Sequence, residues 1–107
     1  MSRSTTSTDH RLPDLYPGAD MRADLFDAKG VTVEEAVAAT GVTEAALNGF
    51  LNGTARIDAD FDLRIGRFFG LSPGYLLRLQ NSYDLIEARR RNGAAIDAIP
   101  ERFARAA

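Results

Sequence analysis

TGVTEAALNGFLNG, Thr40 to Gly53, is the stretch on which the fold turns. Its opening T-G-V-T is too short to join two helices side by side. A connection of three or four residues containing Gly sets two helices at the roughly 90–120° of a helix-turn-helix. Thr43 then offers a hydroxyl to cap the helix that follows, and Val42 points inward from the turn. Leu47 and Leu51, one turn apart, anchor that helix, and Asn52-Gly53 closes it. The difficulty lies in its charge, because the only charged residue in the stretch is an acid, Glu44.

Working outward, the punctuation predicts five helices and no strands. Pro17-Gly18 precedes a first helix running to about Ala28, with Met21 and Leu25 four apart on one face. Lys29-Gly30 ends it. Thr32-Val33-Glu34-Glu35 has the form of a capping box, with Glu35 able to reach back to the Thr32 amide. The helix it starts ends at Thr40, with Gly41 free to turn left-handed. Asp58 caps a fourth helix, Asp60 and Asp62 lie in its first turn, and Gly70 closes it. Ser72-Pro73 starts a fifth helix reaching about Arg91, where Arg89-Arg90-Arg91 suits a carboxyl end. Tyr75, Leu76, Leu79 and Tyr83 are spaced as its core stripe.

The expected division is therefore a flexible arm over 1–15, a helical domain over 16–92 and a tail over 93–107. Arg3 and Arg11 in the arm are within the reach of phosphate. Ile96, Ile99 and Phe103 in the tail are too apolar to float freely, which predicts a homodimer contact there.

Composition removes several classes of function. The 107 residues contain no Cys and a single His, His10, and carry a formal net charge of −2. Thiol chemistry and Cys-ligated zinc are excluded, and no metal site or cofactor is expected. Asp58, Asp60 and Asp62 lack the Gly and distal Glu of a calcium loop. No nucleophile–base pair is visible, so an enzyme is not expected. No apolar run approaches a membrane span and no signal core precedes the domain, which predicts a cytoplasmic protein without a membrane partner.

Three longer stretches carry a resemblance. GVTVEEAVAATGVTEAALNGFLNGTARI resembles the helix-turn-helix of the Xre and lambda-repressor superfamily, which ends in L-x-N-G followed by basic residues and Ile. YPGADMRADLF resembles the opening of HigA-type antitoxins, with Tyr16 where the family has His. FDLRIGRFFGLSPGYLLRLQNSYDL resembles that family's later helices in register. Together they cover about residues 15–90 without a gap. The resemblance implies an all-α, lambda-repressor-like domain, a homodimer, a RelE-like messenger-RNA-cleaving toxin as protein partner, and repression of its own operon.

The departures bear on the same point. Val33 stands where the family often has a DNA-contacting Gln. Ala36 and Val37 exchange the family's large and small residues. The residues expected to face DNA are Thr43, Glu44, Ala45, Asn48, Gly49, Asn52 and Arg56. Asn48 suits adenine, Thr43 suits a phosphate or a thymine methyl, and Ala45 suits that methyl, while Arg or Lys to guanine is unavailable. Between Val31 and Ile57, Glu34, Glu35 and Glu44 oppose the lone Arg56, leaving −2. Two readings follow: an antitoxin that represses through operator DNA, or a protein-interaction module that neutralises a toxin on the same scaffold with little or no DNA binding.

Overall fold

A computed structural model describes residues 16–103; the arm with Arg3 and Arg11 lies outside them. Helix α1 covers Pro17–Met21 and continues as a π-helical turn over Arg22–Asp27. Helices α2 (Val33–Thr40), α3 (Glu44–Asn52), α4 (Ala59–Phe69) and α5 (Tyr75–Asp97) follow. The described residues form five helical segments and no strand, the all-α arrangement expected.

The π turn alters the first helix's buried face. A π-helix closes i→i+5 bonds, and here the Ala28 amide donates to Ala23 O. Widening the turn stacks Phe26 above Met21, so Met21, Leu25 and Phe26 all reach the core. The Phe26 ring meets Phe69 edge-on, with centroids 5.0 Å apart. Gly18 allows α1 to lie against α3, since a Cβ there would stand 1.9 Å from the Phe50 carbonyl oxygen.

Local capping follows the sequence closely. The Thr32, Thr43 and Asp58 side chains accept from the amides of Glu35 at 3.0 Å, Ala46 at 3.0 Å and Phe61 at 2.9 Å. Gly41 takes φ 79° in the turn between α2 and α3. The Arg64 guanidinium bonds Asp60 four residues back and also donates to Thr40 O at 2.8 Å, closing the carboxyl end of α2. In the exchanged pair, Ala36 is fully buried and Val37 packs against the core from its edge.

Three expectations fail for tertiary reasons. Ser72-Pro73 does not cap α5: the N-cap is Gly74, at φ 87°. Asp62 of α4 performs that task. Its carboxylate, 2% exposed, accepts from Gly74 N at 2.7 Å and Leu77 N at 3.0 Å. The stripe on α5 is shifted as well. Leu76, Gln80, Tyr83 and Glu87 are buried, whereas Tyr75 is exposed. Nor does α5 stop at Arg91. It kinks at Asn92 (φ −126°) and resumes to Asp97, so the three arginines lie within the helix rather than at its carboxyl end. Arg89 pairs with Asp97 and Arg90 with Glu87.

The Asp62 cap carries a measurable cost. Asp62→Ala leaves two helix-end amides without their acceptor and is expected to destabilise the fold by about 1.5–3 kcal/mol, the range for hydrogen bonds to a charged group. Chemical denaturation reads this as a lower midpoint at unchanged slope. A loss under 0.5 kcal/mol contradicts the assignment.

Candidate nucleic-acid interface

The surface that a helix-turn-helix presents to DNA is built here by α3 and the loop after it. Leu47, Phe50 and Leu51 hold one side of α3 in the core, with Phe50 and Phe61 ring centroids 5.3 Å apart. The opposite side exposes Thr43, Glu44, Ala45 and Asn52, with Asn48 half-buried between them. Thr43 is committed as the cap of α3. Among the described residues the Asn48 amide is held by no hydrogen bond and keeps its full donor and acceptor capacity.

Gly49 of α3 touches the loop that follows it. It is half-buried, and a Cβ on it would meet Ala55 Cβ at 2.7 Å. Its carbonyl accepts from Thr54 N at 2.8 Å and Ala55 N at 3.1 Å. The position shapes the loop after α3 and leaves no room there for a side chain. Asn52 gains a neighbour that sequence reasoning passed over: Arg22 Nη2 donates to Asn52 Oδ1 at 2.8 Å. The signal was present in YPGADMR, but Arg22 lies 30 residues from Asn52, and only the fold brings its charge to the end of α3.

The loop carrying Arg56 is pinned from below. The buried Gln80 side chain accepts from Ile57 N at 3.0 Å and donates to Ile57 O at 3.2 Å, a two-point pairing like one rung of a sheet. The Tyr16 hydroxyl shares its proton between Ala55 O at 2.9 Å and Gln80 Oε1 at 3.1 Å. Its ring packs edge-on to Tyr83, centroids 5.2 Å apart. With Ala55 and Ile57 drawn inward, Arg56 is turned outward.

What Arg56 meets there is a carboxylate. Its Nη1 donates to Asp84 Oδ1 at 2.8 Å, and Nη2 to Asp84 Oδ2. This two-point hydrogen bonding holds the Asp84 carboxyl below its usual range and raises the guanidinium further. The only cation between Val31 and Ile57 is thus already neutralised within the chain. Beside this pair the α5 side chains Tyr83, Glu87, Arg90 and Arg91 complete a cleft of about 440 Å³. Among the described residues no group of three or more acids or His is placed to hold a metal ion. No helix among them is long and apolar enough to cross a membrane.

No protein-family model matches the chain. It is 38% identical over 71 residues to virulence-associated protein A′ of Dichelobacter nodosus. That match takes in 65% of this chain and 61% of the relative, so the chain spans less than two thirds of that protein's length. Solved structures extend the likeness. An addiction module antidote protein of the HigA family from Coxiella burnetii superposes with a TM-score of 0.75 at 25% identity, over 86% of this chain and 100% of that one. The Pseudomonas aeruginosa antitoxin HigA, solved with the higBA promoter, gives 0.74 at 26% identity, over 82% and 97%. The resemblance carried by the sequence holds in three dimensions: the chain has the HigA-type helix-turn-helix fold.

Tyr16 makes the pinned loop sensitive to alkali. Burial pushes its phenol up to about 12 from the usual value near 10. Below pH 10 the phenol is protonated in both folded and unfolded chains, and its contribution to stability is complete. Above it the unfolded chain ionises first, and that contribution is lost as pH rises through about 12. Tyr16→Phe is expected to reduce the alkaline fall in denaturation midpoint, with a remainder from Tyr83, whose phenol burial also pushes up. An unchanged alkaline fall rules this out.

Proposed function

We propose that the chain is an antitoxin that neutralises a RelE-like toxin and represses its own operon by placing α3 in the major groove. It acts in the cytoplasm by binding, not by catalysis. The observation that carries this reading is the exposed face of α3 on a scaffold that superposes over most of its length on a HigA antitoxin solved with promoter DNA. Asn48 is the base reader, suited to adenine N6 and N7. The amino ends of α2 and α3 offer backbone amides to phosphates without side-chain charge.

One observation favours the second reading, a module that binds a toxin and leaves DNA alone. The lone cation of the reading segment, Arg56, is spent on Asp84, and phosphate neutralisation supplies much of the affinity for DNA. A titration of promoter and scrambled duplex at several salt concentrations separates the two. Repression predicts a promoter preference with a shallow salt dependence. Asn48→Ala should cost roughly 1–3 kcal/mol at one adenine, and Glu44→Lys should tighten binding to any duplex. Equal binding of promoter and scrambled DNA at low salt leaves the toxin-binding module standing.

The proposed active species is a two-fold homodimer. Leu85 and Ile86 on the outer side of α5 are 72% and 55% exposed, and Ile99 and Phe103 beyond it are 66% and 77% exposed. Apolar surface of that extent suits association, here between the carboxyl half of α5 and the tail. Such a dimer spaces two α3 helices about 34 Å apart when it reads a palindrome, one turn of DNA. Sedimentation at micromolar concentration should report a dimer, and truncation after Asn92 should weaken it. A monomer, or a truncated chain with the same oligomeric state, excludes this interface.

A further inference from the structure

Among the described residues, the cleft between the loop after α3 and the outer half of α5 brings three arginines together. Arg56 comes from the loop, and Arg90 and Arg91 come from α5, more than thirty residues later. Its volume of about 440 Å³ falls within the roughly 300–1,000 Å³ of ligand-sized clefts. Two of the three cations are held in place by carboxylates. Asp84 takes Arg56, and the buried Glu87 takes Arg90 at 2.6 Å. Arg91 forms no ion pair among the described residues and lines the same cleft as Tyr83 and Glu87.

The two carboxylates differ in what they can release. Glu87 is buried, and parting it from Arg90 strands a charge with little water to receive it. Asp84 and Arg56 are both partly open, their side chains 33% and 55% exposed. Their two-point geometry makes the pair stronger than most surface pairs, but its exposure leaves it within reach of a competing anion and of screening by salt. Arg is also suited to phosphate by the same two-point geometry it shows to Asp84.

We propose that this cleft is a second DNA-backbone site, in which Arg56 exchanges Asp84 for a phosphate while Arg91 supplies the neighbouring cation. The site rests on the repressor reading and extends it. Asn48 and its neighbours read bases, and the cleft supplies the phosphate contacts that α3 lacks. Asp84 then tunes how tightly any DNA is held, because a phosphate that takes Arg56 must first displace it. Arg90 keeps Glu87 neutralised and does not move.

The test is the salt dependence of binding by the full-length chain to promoter and scrambled duplex. Each neutralised phosphate adds about 0.9 to the slope of log affinity against log salt. Asp84→Asn, which removes the competing charge, should tighten binding to both duplexes and steepen the slope by up to about 0.9 per half-site. Adding Arg56→Ala to that variant should abolish the gain. Arg91→Gln should flatten the slope by a similar amount. Arg89→Gln removes a like charge that faces Asp97 outside the cleft and should leave the slope unchanged. An unaltered slope in Asp84→Asn or Arg91→Gln, with wild type still preferring its promoter, overturns the cleft and spares the repressor reading; the cleft is then a protein contact or bare surface. Equal shifts from Arg89→Gln and Arg91→Gln also overturn it, by showing a general field effect. Failure of wild type and every variant to bind any duplex overturns both.

Discussion

The pairing of the Gln80 side chain with the backbone of Ile57 is the constraint on which the upper half of the molecule depends. The amide is 3% exposed, and both its oxygen and its nitrogen are satisfied by the same residue. An unpaired amide at that depth costs several kcal/mol, so the loop after α3 has one low-energy position relative to α5. Tyr16 secures the arrangement from the other end of the chain, joining residues 39 and 64 positions away. The loop shape, the outward turn of Arg56 and the contact with Asp84 all descend from this one buried pairing.

The electrostatics divide along the same line. The polar bonds in the interior are few and fully paired; among the described residues no buried side-chain nitrogen or oxygen lacks a partner. At the surface, ion pairs take up Arg56, Arg64, Arg89 and Arg90, and the simple exposed ones are of the kind worth at most about 1 kcal/mol. The chain therefore keeps a helix-turn-helix scaffold whose exposed α3 face is almost uncharged. On such a face, base contacts and shape weigh more against the phosphate term than they do in a strongly basic reader.

Local chemistry was legible from residue order alone. Thr32, Thr43 and Asp58 cap where their spacing says they should, because a cap concerns residues three apart. The turn at Gly41 and the anchors Leu47 and Leu51 belong to the same class. What could not be read were bonds between distant residues. Asp62 is the first-turn acid that its position predicts, but its capping of a helix 12 to 15 residues later could not be seen. Arg56 looked like a free cation until Asp84, 28 residues on, was folded beside it. The stripe on α5 was shifted for a related reason: Gln80 and Glu87 are polar, and only their partners make burial tolerable.

The Asp62 cap also couples the parts of the molecule in time. A helix that carries its own N-cap can begin to form before its neighbours arrive. Helix α5 begins at a glycine without a side chain, and the acceptor for its first amides belongs to α4. Its amino end is therefore complete only once the two helices have docked. Opening α4 removes that acceptor at the same moment, and the front of α5 must fray with it. The two helices behave as one unit of local unfolding, and their slow-exchanging amides are expected to share a single opening free energy, not a graded series along the chain.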